Sequence, residues 1–227
     1  MTPFRKRRPD EEALDDLAAL SDEALARFVL PRLVLTADVP AELHPTAPTF
    51  VPGLSVLLAV RLRLSKTVIP PEWVWDQRGG VEHWRAIALR NVTALFDDLE
   101  TEHRQVPFDG VSISTFMGQS TYVASLALRF GDLMRHLGVV DRGAGFLVAV
   151  PSRQQILWRV IEGNENARLV ESLVTITHDF FRGAPDRRVS PLVYWVRGDD
   201  WRPVTRLEED GVRVLLPDEL IVAMGLA

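Results

Sequence analysis

The chain has 227 residues, 47% hydrophobic and 25% charged, an ordinary balance for a globular domain long enough to bury a full core. A formal net charge of −5 argues against a surface built throughout to neutralise phosphates, and the absence of cysteine excludes disulfides, thiolate nucleophiles and cysteine-held zinc or iron–sulfur centres. Lys6 and Lys66 are the only lysines, but an arginine excess spread evenly along the chain marks no site.

Residues 1–12 form a charged tail in which Arg5-Lys6-Arg7-Arg8 is followed by Asp10, Glu11 and Glu12, so the two signs largely cancel. This pattern reads as a flexible, solvated segment, with nucleic-acid contact through the basic cluster as its alternative. No apolar stretch follows it, and no segment is apolar for the length of a membrane span, so the expectation is a soluble, cytoplasmic protein without membrane contact.

Residues 13–52 read as a short helix and a Pro-rich connection. Ser21 has the character of an N-cap, Asp22 and Glu23 favour the first turn, and Leu25, Phe28 and Val29 give the helix an apolar face that Pro31 ends. Pro40, Pro45, Pro48 and Pro52 then remove backbone donors, which makes this stretch the candidate boundary before a single α+β domain over 53–227.

Within that domain, Leu54 to Leu64 reads as a strand whose end alternates Arg61 and Arg63 with Leu62 and Leu64. Trp73 and Trp75 share a side if the chain there is extended. Trp84, Ala88, Val92, Leu95 and Leu99 recur at helical spacing over Glu82 to Leu99, with Asn91 inside the stripe and therefore in need of buried partners. Val111 to Phe116 reads as a strand, and His103 to Asp109 before it as a loop. A second amphipathic helix carries Val123, Leu126, Phe130, Leu133 and Leu137 before the stop at Gly138.

Two apolar runs, Phe146 to Val150 and Ile156 to Ile161, flank the polar loop Pro151-Ser152-Arg153-Gln154-Gln155 and predict a hairpin. Asn164 caps a third helix through Leu169, Leu173, Ile176 and Phe180 that ends at Gly183, and Leu192 to Val204 forms a second hairpin around Gly198-Asp199-Asp200. The expected fold is α+β, a mixed β-sheet with about three packed amphipathic helices and two β-hairpins.

Four of these segments, in this order over roughly residues 50 to 205, resemble the uncharacterised bacterial family known as domain of unknown function 1444. They are Ile87-Ala88-Leu89-Arg90-Asn91-Val92, Tyr122-Val123-Ala124-Ser125-Leu126, Leu147-Val148-Ala149-Val150-Pro151-Ser152-Arg153, and the helix and hairpin ending Val193 to Trp201. The chain departs from that family's pattern at Gln154, where an acidic residue often follows the arginine. The resemblance implies a bacterial, cytoplasmic α+β protein and no established activity.

The Ser152-Arg153 loop is the candidate ligand site, because a strand end can aim amides, a hydroxyl and a guanidinium at an anion; Asn91 and Asp109 are the candidates to approach it. The competing reading is a plain hairpin turn whose Arg153 pairs with a surface carboxylate. The histidines His44, His83, His103, His136 and His178 show no metal-ligand spacing, and His178-Asp179 falls outside the apolar stripe of its helix. No nucleophile elbow, Walker loop or dinucleotide fingerprint occurs, so no metal or cofactor is expected.

Trp195 and Trp201 beside a hairpin turn, with Trp73 and Trp75 in a Pro-rich stretch, are the candidate interface residues. The leading expectation is a non-enzymatic interaction module that binds a protein partner or a second copy of itself. Its alternatives are a small-anion-binding protein or hydrolase centred on the loop after Val150, and nucleic-acid contact through the basic tail.

Overall fold

The computed structural model describes residues 9–62, 67–163, 168–209 and 211–226. The basic cluster Arg5 to Arg8, Arg63 and the Asn164 cap lie outside them.

Helix α1 (Pro9–Ala18) leads into α2 (Asp22–Phe28), so helix begins within the segment read as a tail. The Ser21 side chain caps α2 by accepting from the Ala24 amide at 3.2 Å, with Asp22 and Glu23 against the positive end of the helix. The chain then departs from the expectation for Pro31, because it continues directly as strand β1 (Val29–Leu35) with Pro31 inside it. An edge strand needs ladder donors on one side only, and β1 pairs with a single neighbour, so a residue without an N–H is tolerated there.

Short 3-10 turns at Thr36–Asp38 and Ala41–Thr46, strand β2 (Thr49–Val51) and strand β3 (Leu54–Arg61) follow. β1 runs antiparallel to β3 from Val29 opposite Val60 to Leu35 opposite Leu54. The expected boundary near residue 52 is therefore bridged by a full ladder, and residues 29–52 belong to the same sheet as β3. β4 (Thr67–Val68) pairs with the end of β3, placing Thr67 opposite Arg61.

Trp73 and Trp75, expected on extended chain, lie instead in helix α3 (Glu72–Asp76), where Pro71 supplies the fixed dihedral that starts the turn. Helix α4 (Val81–Asp98) buries Trp84, Ala88, Val92 and Leu95 as its periodicity predicts. Asn91 donates from Nδ2 to the carbonyls of Ala26 and Val29, both at 2.8 Å, and so ties α4 to the junction of α2 and β1.

Strand β5 (Thr101–Phe108) occupies the stretch read as a loop and pairs with β6 (Val111–Gly118). Its periodicity is masked because it is an exposed edge protected by Glu102, Arg104 and Pro107. The expected second amphipathic helix divides into a 3-10 segment at Val123–Arg129 and α5 (Phe130–His136). Next come β7 (Phe146–Ser152), β8 (Gln155–Val160), α6 (Arg168–Gly183), β9 (Val193–Arg197), β10 (Asp200–Pro203), the hairpin of β11 (Thr205–Glu208) and β12 (Gly211–Val214), and α7 (Asp218–Ala223).

The main sheet has the order β10-β9-β7-β8-β6-β5, and every ladder among the described residues is antiparallel. The α+β class holds, with seven α-helices among the described residues. Alternating side chains divide the core between the two faces of this sheet. Val148, Val150, Ile156, Trp158 and Tyr194 pack toward the 123–129 segment, α4, α5 and the β1–β3 sheet. Leu147, Ala149, Leu157, Val193 and Trp195 pack toward α6 and α7.

Candidate anion-binding site

The hairpin turn between β7 and β8 is fixed by its backbone. Arg153 donates its amide to the Arg187 carbonyl at 2.7 Å, and its own carbonyl accepts from the Ala124 amide at 3.0 Å. The Gln154 carbonyl accepts from Gly118, the Gln154 side-chain amide donates to the Gln119 carbonyl at 2.6 Å, and Arg187 donates to the Gln154 side-chain oxygen. Three chain segments, at Gly118–Gln119, Ala124 and Arg187, thus hold this turn, and the Arg153 guanidinium makes no ion pair among the described residues. Its Nε is buried with no partner.

A second arginine lies near enough to feel its charge. Arg32 lies on β1 opposite Leu57 of β3, and directly opposed residues of an antiparallel pair share a face. Alternation along β3 places Leu57, Ala59 and Arg61 on that same face, and the Arg61–Thr67 pairing adds Thr67. Arg32, Arg61 and Thr67 therefore leave one side of the small sheet together. Tyr122, at the start of the 123–129 segment, meets them there: its hydroxyl lies 3.3 Å from the Thr67 hydroxyl. Ala124, two residues on, holds the Arg153 carbonyl, which brings the β7–β8 turn to the same place.

The electrostatics agree with this placement. Burial, and then the like charge of Arg153, hold the Arg32 guanidinium below the ordinary arginine range. Arg153 is lowered by burial and partly restored by Asp38, at the end of the 36–38 turn, which lies beyond ion-pair distance. Tyr122 is raised by burial, against the opposing effects of its Thr67 hydrogen bond and of Arg32 and Arg61. The Nε of Arg32, like that of Arg153, is buried without a partner among the described residues. No described carboxylate lies within 4.0 Å of either guanidinium.

Ser152 and Arg153, expected to act together, part ways. Ser152 is buried and lines a cleft of about 590 Å³ beside the turn, with Gln154, Gln155, Glu100, Glu102 and Phe180 among its other walls. Arg153 is absent from those walls, and its charge acts on Arg32 instead.

Asn91 and Asp109 do not approach the turn. Asn91 has both amide donations committed to Ala26 and Val29, a purely structural use. Asp109, at φ +48°, forms the tight Asp-Gly turn joining β5 to β6 and accepts from the Ser172 hydroxyl at 3.4 Å. That turn lies at the far end of β6 from Met117, which pairs with Gln155, a distance of roughly 25 Å at ~3.3 Å per residue.

The tryptophans expected at an interface are mostly core. Trp195 is 2% exposed, donates from Nε1 to the Ala144 carbonyl at 2.9 Å, and carries Arg197 and Arg202 over its ring at 5.4 and 5.8 Å. Trp75 is 1% exposed beside Trp84. Trp201 packs edge-on against Phe50, Phe130 and Tyr194, a partly buried position that fastens the β9–β10 hairpin to the core. Trp73 alone of the four is open to solvent, at 53%.

Arg32 was not among the sequence candidates. The signal for it is a charged residue inside the apolar run Phe28-Val29-Leu30-Pro31-Arg32-Leu33-Val34-Leu35, which becomes half-buried once that run is a strand. Among the described residues no group of three or more histidine, aspartate and glutamate side chains is placed to hold a metal ion, and no helix is long and apolar enough to cross a membrane. Searches of family models, curated proteins and solved structures find no match to this chain.

Proposed function

We propose that this protein binds a small anionic molecule between Arg32 and Arg153. One observation carries the reading: two arginines from distant parts of the chain converge, each with a buried Nε that has no partner, on a backbone frame too well bonded to relax away. Juxtaposed cations normally recruit carboxylates, because desolvated like charges are costly; here Asp38 offsets part of the charge on Arg153, and a ligand anion would supply the rest. The planar guanidinium fork suits carboxylate, sulfate or phosphoryl oxygens.

The reading claims binding and assigns no bond-breaking step, since no nucleophile or general base is placed beside the pair by the interactions above. It is preferred to the interaction-module expectation, of whose four tryptophans Trp195 and Trp75 are buried, Trp201 is partly buried and Trp73 is exposed. A cytoplasmic location and kinship with the domain of unknown function 1444 family belong to the same proposal and add no activity to it.

The test is thermal denaturation of wild type, Arg32→Gln and Arg153→Gln in sulfate, phosphate, acetate and citrate at constant ionic strength. At ten times its dissociation constant a bound anion stabilises the native state by about 1.4 kcal/mol, a rise of roughly 3–6 °C for a chain of this size. The wild type shows a saturable rise with at least one anion and both variants lose it. Equal shifts in all three proteins would overturn the proposal.

A further inference from the structure

We infer that the bound group is the dianionic phosphoryl group of a small phosphorylated molecule, held between the forks of Arg32 and Arg153 and facing the Tyr122–Thr67 hydroxyl pair. This inference rests on the anion-binding reading and narrows its ligand.

Three observations separate a phosphoryl group from a carboxylate. The first is charge: Arg32 and Arg61 share one face of the small sheet, Arg153 reaches the same place, and Asp38 is the one carboxylate acting on Arg153. Among the described residues two positive charges are left in excess there, with Arg61 exposed to solvent. A monocarboxylate neutralises one of them and a phosphomonoester above its second ionisation neutralises nearly both.

The second is the number of acceptors. One guanidinium fork engages both oxygens of a carboxylate in its plane and leaves only its remaining lone pairs for a second, whereas the three terminal oxygens of a phosphoryl group give two forks from different elements a bidentate face each. Both buried Nε atoms, without a partner among the described residues, are available to donate to such an acceptor. The third is the hydroxyl pair, with Tyr122 and Thr67 oxygens 3.3 Å apart; two neutral groups that donate or accept suit the ester oxygen and hydroxyls of an organic body beyond the phosphorus.

The experiment is calorimetric titration of the full chain with glycerol phosphate, inorganic phosphate, sulfate and acetate, at pH 5.0 and at pH 7.5. The second ionisation of a phosphomonoester lies near pH 6, so roughly a tenth of it is dianion at pH 5.0 and nearly all at pH 7.5. Glycerol phosphate therefore binds about tenfold more tightly at the higher pH. Sulfate keeps its charge throughout and changes less than twofold, which controls for Asp38 and for His44, whose ring nitrogen lies 2.9 Å from the Val39 carbonyl on the segment covering the same sheet face. Acetate binds at least tenfold more weakly than glycerol phosphate.

Arg32→Gln and Arg153→Gln each weaken glycerol phosphate at least tenfold, and Arg61→Gln weakens it about threefold through its charge alone, with unfolding midpoints confirming that each variant is native. Tighter binding of glycerol phosphate than of inorganic phosphate assigns the ligand an ester body; equal binding assigns the phosphoryl group alone. Acetate binding as tightly as glycerol phosphate, or a flat pH profile for the ester, would overturn the inference while leaving an anion site standing. Failure of every anion to bind would remove both readings.

Discussion

Replacing Arg32 with methionine should make the ligand-free protein more stable. Arginine in the middle of a strand, with a buried Nε and no partner, forfeits water without receiving a protein acceptor. An unsatisfied buried polar group costs about 1–3 kcal/mol, and the neighbouring charge of Arg153 adds to that cost. Methionine retains most of the methylene stem that packs beside Val34 and Leu57 while removing the charge and the orphan Nε donor. The expected gain is about 1–2 kcal/mol, which for a chain of this length raises the melting temperature by roughly 2–8 °C. Urea unfolding should show a higher midpoint with an unchanged slope. Arg153→Met should give a gain of the same sign, and the double variant less than the sum, because their mutual repulsion is relieved only once. A loss of 1 kcal/mol or more in Arg32→Met would refute the reasoning, since it would mean that Arg32 is satisfied in the native protein.

Other elements make independent predictions. Asn91→Ala should cost about 2 kcal/mol by stranding the Ala26 and Val29 carbonyls, while Thr93→Ala on the exposed side of α4 stays within about 0.5 kcal/mol by chemical denaturation. Trp195→Ala should cost about 3–5 kcal/mol as a core cavity, whereas Trp73→Ala should be nearly silent; a native-like melting temperature for Trp195→Ala would return that residue to the surface. Tyr122 and Tyr194 are the only tyrosines, and burial raises both, Tyr194 to about 12. Because the folded values exceed the unfolded one, the stability they contribute is complete below pH 10 and is lost as pH rises toward 12. Tyrosinate absorbance should accordingly be well under half-developed at pH 10 in the native protein and near half-developed in denaturant.

Much of the fold is legible in the sequence where periodicity and burial coincide. α4 and α6 show their apolar stripes, and β7 and β8 are apolar runs because both faces of the central sheet are covered. The misreadings share a cause, in that edge elements answer to solvent as much as to the core. β5 is charged because it guards an edge, and β1 admits Pro31 because an edge strand has a free side. α3 is too short for a period to register.

The candidate site was only half legible. The polar turn after Val150 identified Arg153, but the partner that gives it meaning is Arg32, 121 positions earlier, and nothing local links the two. Their meeting depends on β1 pairing with β3 and on the Ala124 amide holding the turn, both long-range consequences of the topology. Sequence spacing also suggested that Ser152 would work with its neighbour, whereas alternation at the strand end sends the two side chains to different places.

The most direct measurement is a crystal structure after soaking in tungstate, a heavy tetrahedral oxyanion whose anomalous signal fixes its position. The account predicts a peak between the Arg32 and Arg153 guanidiniums, within hydrogen-bonding distance of both, that disappears in Arg32→Met. Density showing both guanidiniums satisfied by the protein's own carboxylates or carbonyls, with no peak between them, would contradict it.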